Sequence, residues 1–183
     1  MTKIIGFAGS LRTGSYNAAL LRAAATLMPA GATLEIATIK GIPLYDGDVE
    51  AAEGMPAAVD ALKKLIAGSD GILMVTPEYN NAMPGVLKNA IDWMSRPSKD
   101  VGDVFRNRPI AVVGASPGGF GTILAQDAWL PVLRTLGTRP YFGGRLMVSR
   151  AGSVFNEAGD MVDEKINAQL QQFLQGYVDF IQA

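Results

Sequence analysis

Two uninterrupted apolar runs, Gly71–Thr76 (GILMVT) and Pro109–Ala115 (PIAVVGA), constrain this chain most. A strand with one wet face alternates apolar and polar residues; one that is apolar throughout must be covered on both faces. The two runs therefore read as central strands of a parallel sheet, which needs a helical layer on each side. Lys3–Ala8 reads as a first strand and Thr33–Ile39 as a second, with Leu34 and Ile36 alternating against Glu35 and Ala37. Arg145–Ser149 reads as a fifth. Helices are expected over Tyr16–Met28, Pro56–Ala67, Gly85–Ser95, Leu124–Leu136 and Lys165–Ile181, each with apolar residues at helical spacing. Gly41–Gly54, Pro97–Arg108 and Ala151–Asp160 read as connections.

Five strand–helix units in 183 residues suit one domain over residues 1–183. The pattern does not contain the strand order, but five strands suit the flavodoxin-like order, a three-layer α/β/α sandwich around a five-stranded parallel sheet. Ligands of such sheets sit beyond the carboxyl ends of the strands. The loops there are 9–17, 76–82 and 115–122.

The first of these, GSLRTGSYN, joins a strand to a helix. A helix N-terminus carries unpaired amides and a partial positive charge. Ser10, Thr13 and Ser15 add hydroxyls, Asn17 an amide and Arg12 a cation. Ser15 alone would serve as an ordinary N-cap, but capping needs one such residue, and this density of donors favours a bound anion. The loop is neither a Walker loop nor a GxGxxG dinucleotide fingerprint. The second loop, Thr76-Pro77-Glu78-Tyr79-Asn80-Asn81, is equally readable as a polar turn and as a flat aromatic face with amides aimed at a ring edge. The third, Ser116-Pro117-Gly118-Gly119-Phe120-Gly121, is either a flexible connection or a place of close ligand approach.

The chain has no Cys and no His. Disulfides, thiol nucleophiles, Ser-His-Asp triads and ordinary zinc sites are thereby excluded. Carboxylate acid/base chemistry or a bound cofactor remains. A net charge of −1 offers no nucleic-acid footprint. No apolar run approaches the ~20 residues of a membrane span. Met-Thr-Lys followed at once by a strand is not a signal peptide, so a cytoplasmic location is expected. The acidic stretch Asp46, Asp48, Glu50 and Glu53 reads as a solvated connection, with no metal site expected.

The stretches GSLRTGSYN, TPEYNNAMPGVLKNAIDWMSRP and, more loosely, IPLYDGDVEAAEGMP resemble the NAD(P)H-dependent FMN reductases of flavodoxin-like fold, in particular the bacterial quinone, chromate and ferric reductases. The resemblance runs from about residue 3 to the last helix. It implies FMN as cofactor and NADH or NADPH as co-substrate. Ser10, Arg12, Ser15 and Asn17 would hold the phosphate, with Tyr16 close by. Pro77, Glu78, Tyr79 and Asn80 would lie along the ring, largely through backbone groups, and Ser116 and Gly118 near its pyrimidine end. No side chain is implied as catalytic, because the flavin carries the chemistry. Hydride would pass from the nicotinamide to the flavin and then, in ping-pong fashion, to a quinone, ferric complex, chromate or azo acceptor. A homodimer is implied. Relatives carry Arg where this chain has Leu124, and some carry Glu where it has Tyr141, so a tetramer held by that charged contact is not expected here.

Arg96 reads either as an attractor of an anionic acceptor or, more often for a cation past a helix, as a partner of the helix dipole. Trp93 reads as packing or a dimer contact, and Phe120 as a gate or an anchor. The rival functions are a flavodoxin-type electron carrier, a flavin-free dehydrogenase and a flavin-binding regulator. Carriers of the first type are strongly acidic, and the Tyr-x-x-x-Lys pair of short-chain dehydrogenases does not occur here.

Overall fold

The computed structural model describes residues 1–183 and runs β1 (Thr2–Ala8), α1 (Tyr16–Thr26), β2 (Ala32–Ala37), α2 (Gly47–Glu53), α3 (Ala57–Ala67), β3 (Gly71–Val75), α4 (Gly85–Met94), α5 (Val101–Val104), β4 (Pro109–Ala115), α6 (Ile123–Thr135), β5 (Arg139–Pro140), β6 (Met147–Val148), α7 (Ala151–Val154) and α8 (Glu164–Gln182). The strands are parallel in the order β2-β1-β3-β4-β5, with β6 also paired to β4. This is the flavodoxin-like order, and the chain changes direction across the sheet between β1 and β3.

Period-two alternation divides the core in two. Ile4, Leu73, Val75, Ala111 and Val113 face a layer that includes α1 and α8. Ile5, Phe7, Ile72, Met74 and Ile110 face a second layer of α3, α4, α5 and α6. All five residues of β3 are buried, as its unbroken apolar run requires. Tyr177 of α8 locks the first layer to the sheet. Its hydroxyl accepts from the Ile72 amide at 3.0 Å and reaches the carbonyls of Ile72 at 2.7 Å and Pro109 at 2.9 Å. Burial pushes this phenol well above its ordinary pKa.

The expected fifth strand is present but short: β6, Met147–Val148, lies within Arg145–Ser149, and the dipeptide β5 precedes it. Its place is shared by two dipeptides, β5 beside Pro109 and Ile110, and β6 beside Gly114 and Ala115. The Tyr141 amide still donates to Ile110 O at 2.8 Å, after which the chain leaves the sheet. The Tyr141 ring packs among Phe173, Tyr177 and Phe180, with centroids 5.3 to 5.5 Å apart. A Cβ on Gly143 would lie 2.6 Å from that half-buried ring, so only glycine fits this turn.

The Gly41–Gly54 connection is also more ordered than its composition suggested. It contains α2, which Asp46 caps through Asp48 N at 2.9 Å. Short helical turns likewise occupy part of 97–108 and of 151–160.

Candidate active site

Ala8, Val75 and Val113 stand side by side in the sheet register, so the loops after β1, β3 and β4 leave from one edge. The crevice between β1 and β3, where the topology switches direction, lies between the first two. Gly9 sets their spacing: a Cβ there would come within 2.6 Å of Leu87 Cδ2 and 3.0 Å of Pro77 Cδ. The Gly9 amide is fixed to Val75 O at 2.8 Å.

Beyond Gly9 the backbone donors are free. The amides of Ser10, Leu11, Arg12, Thr13 and Gly14 make no hydrogen bond within the chain, nor do those of Tyr16 and Asn17 at the start of α1. Arg12 is exposed, has no carboxylate partner and lies with its guanidinium carbon 5.7 Å from the Tyr16 ring centroid. Seven open amides, the positive end of a helix and an unpaired guanidinium make this loop electropositive and rich in free donors. Ser15 is buried and is also the N-cap, its Oγ accepting from Ala18 N at 3.2 Å. Capping uses its oxygen as acceptor and leaves its proton to donate.

Asn17 stands differently from its expected role. Its side chain is buried and spent on one backbone unit: Nδ2 donates to Ala115 O and Oδ1 accepts from Ala115 N, both at 2.9 Å. It pins the start of α1 to the end of β4. What it presents to the loop is its main-chain amide.

The second loop is a tight turn. Tyr79 and Ala82 exchange two main-chain bonds of 3.1 Å, and Asn80 and Asn81 between them both have positive φ, 51° and 59°. This is the hairpin geometry that asparagine tolerates. Pro77 is buried beneath it, Asn80 is exposed, and Tyr79 is 46% exposed with its hydroxyl 3.3 Å from Ser10 Oγ, across the crevice. The Glu78 carboxylate turns away from the crevice and accepts from Leu124 N at 2.9 Å and Ala125 N at 3.0 Å, the first turn of α6.

In the third loop the Ser116 hydroxyl donates to Gly121 O, Gly118 O accepts from Arg150 N, and the amides of Gly118, Gly119 and Phe120 are open. Phe120 projects, 84% exposed. Supporting residues that no local pattern marked join the loops from below. Thr76 is buried and its Oγ1 accepts from Trp129 Nε1 at 3.1 Å, while Gly114 has no room for a Cβ between Thr122 Oγ1 and Thr76 O.

Arg96 is not brought to these loops within the chain. It follows α4, a ten-residue helix about 15 Å long that starts at the second loop. Arg96 Nε donates to Glu50 Oε2 at 2.9 Å, and the Tyr45 hydroxyl donates to the same oxygen at 2.9 Å. The Arg96 bond holds the Glu50 carboxyl below its ordinary range and raises the guanidinium. Trp93 Nε1 and Asn89 Nδ2 donate to Pro43 O, so Trp93 is packing here and the 43–50 segment is clasped to α4.

A sequence profile of the NADPH-dependent FMN reductases matches residues 2–153. The chain belongs to the NADPH-dependent FMN reductase family. Within and around this family, it is 45% identical over 173 residues to an NAD(P)H-dependent FMN reductase of Pseudomonas aeruginosa, covering 94% of this chain and 91% of that one. It is 37% identical over 179 residues to a 2-hydroxy-1,4-benzoquinone reductase of a Burkholderia species, covering 98% and 96%. Among solved structures it matches the flavoenzyme NAD(P)H:acceptor oxidoreductase FerB of Paracoccus denitrificans with a TM-score of 0.88 at 33% identity, over 100% of this chain and 98% of that one.

Proposed function

We propose that the protein is an FMN-dependent NAD(P)H:quinone oxidoreductase. The observation that carries this reading is the run of open amides from Ser10 to Gly14, continued by Tyr16 and Asn17, beside an unpaired Arg12. The chain belongs to an FMN reductase family, and FMN fits the donors present: free amides and Arg12 at the first loop, open amides at the third, and exposed aromatic faces at Tyr79 and Phe120. Bound FMN supplies hydride acceptance from a nicotinamide and hydride delivery to an oxidant.

This chain's residues bind and orient. Ser10, Arg12, Ser15, the Tyr16 and Asn17 amides and the free loop amides hold the phosphate. Pro77, Tyr79 and Asn80 define one side of the ring site, with Glu78 behind them, and Ser116 and Gly118 the far end. No Cys or His stands in the chain to relay protons, so protons reach the site from water. An open edge of this kind accepts two substrates in turn. Quinones are the acceptor that the relatives favour; ferric complexes, chromate and azo compounds follow from the same open chemistry. We assign the protein to the cytoplasm and to a homodimer.

The test is the visible spectrum of purified protein before and after anaerobic NADH or NADPH, followed by 1,4-benzoquinone. Yellow protein that bleaches and is restored by the quinone supports the reading. Flavin that neither nucleotide reduces points to an electron carrier, and colourless protein that takes up no FMN refutes both.

A further inference from the structure

Beyond the phosphate loop, the segments 76–84 and 116–122 that border the ring site contain one charged side chain, Glu78. Its carboxylate is committed to α6 through Leu124 N and Ala125 N. That helix lacks other means of answering its N-terminus. Its N-cap residue, Thr122, makes no side-chain cap, its hydroxyl instead accepting from Gln126 Nε2 at 3.0 Å, and the first turn contains no acidic residue. The positive end of a helix is equivalent to about half an elementary charge, carried on its unpaired amides. A carboxylate brought from the second loop cancels it.

We propose that Glu78 is a positioning residue that works through α6 rather than on the ring, and that it does two things at once. It ties the second loop to the third, so that both sides of the ring site move as one body. It also cancels the positive end of α6 beside the open amides of Gly118, Gly119 and Phe120. Uncancelled, that terminus would favour the more electron-rich reduced flavin and hold back its electrons from the acceptor. The proposal rests on the FMN reading above.

Two substitutions separate the effects. Glu78→Gln keeps the shape and removes the charge. Glu78→Asp keeps the charge but withdraws it by one methylene from the α6 amides. The readouts are the melting temperature of the apoprotein and the flavin midpoint potential, measured by equilibration with a reference dye. Glu78→Gln should lower the apoprotein Tm by about 2–4 °C, as expected for a lost cap in a chain of this size. It should also tighten reduced relative to oxidised FMN about fivefold, a potential about 20 mV more positive for a two-electron couple. Glu78→Asp should lower the Tm comparably and leave the affinity ratio within about twofold of wild type. An unchanged Tm in both variants refutes the contact with α6. A lowered Tm with an unchanged potential in Glu78→Gln makes the residue purely structural and overturns the charge compensation. If the wild-type protein takes up no FMN, the parent reading fails by itself, and the apoprotein melts still judge the contact with α6.

Discussion

Replacing Asn17 by Ala tests the placement that departs most from the family resemblance. As a phosphate ligand, Asn17 would matter only when the phosphate is bound. In the structure its amide makes two 2.9 Å bonds to the backbone of Ala115, and both residues are buried, at 4% and 2% exposure. Ala removes two neutral hydrogen bonds and strands a buried N–H and a buried C=O that water cannot reach, for a combined loss of about 3 kcal/mol. In a protein of this length that corresponds to a fall of roughly 8 °C in Tm. The assay is thermal unfolding of apoprotein, free of FMN. Asn17→Asp sharpens it. An ionised carboxylate still accepts from Ala115 N but opposes Ala115 O, whereas the protonated acid can donate to it. Folding therefore raises the pKa of this acid, and the variant should recover stability toward low pH and lose it as pH rises through the folded value. Apoprotein of Asn17→Ala that melts with wild type, with FMN affinity alone reduced, would falsify the argument.

Arg12→Ala should weaken FMN binding about 10- to 100-fold, the loss of a charge-assisted contact, while hydride transfer in flavin-saturated enzyme changes little; fluorescence titration and stopped-flow reduction separate the two. Arg96→Ala should leave kcat/KM for benzoquinone within about twofold and shift Tm by less than about 2 °C, because the guanidinium is solvent-exposed and Glu50, half-buried, keeps its hydrogen bond from the Tyr45 hydroxyl; a large KM increase would place Arg96 at the acceptor instead. Acid should loosen two clasps. The Glu50 carboxyl is held low by its bond from Arg96, and that of Asp100 by its bond from Lys63. Depressed acids contribute stability above the ordinary carboxylate range and lose it as pH falls through their folded values, so Tm should decline below about pH 4. Glu50→Gln together with Asp100→Asn should flatten that decline.

The sheet was legible because its signal is local. A strand covered on both faces has no polar residue, and β4 begins and ends where its apolar run does, at Pro109 and Ala115. The start of α1 was legible for the same reason, Ser15 being both a cap and the end of the loop. The donor density of the first loop was legible from residue types alone; the flavin came only from resemblance. What could not be read depends on partners far along the chain. Asn17 meets Ala115 across 98 positions, and Glu78 reaches Leu124 across 46. A polar side chain in a loop looks the same whether it faces a ligand or a distant backbone. The fifth strand was legible in part: Met147–Val148, inside Arg145–Ser149, pairs with the end of β4, whereas β5 at Arg139–Pro140 is a dipeptide with no apolar run to mark it.

The broken fifth strand also bears on how the molecule stays apart from its neighbours in a crowded solution. A sheet edge with a continuous row of free N–H and C=O groups is a template on which other chains can stack and aggregate. Here one margin is two dipeptides separated by a glycine-bearing detour, so an incoming strand finds no uninterrupted row to copy. The other margin, β2, carries an exposed Glu35 already engaged by Lys3 at 2.9 Å. The gap between β5 and β6 thus removes the template that fibrillar assembly would need.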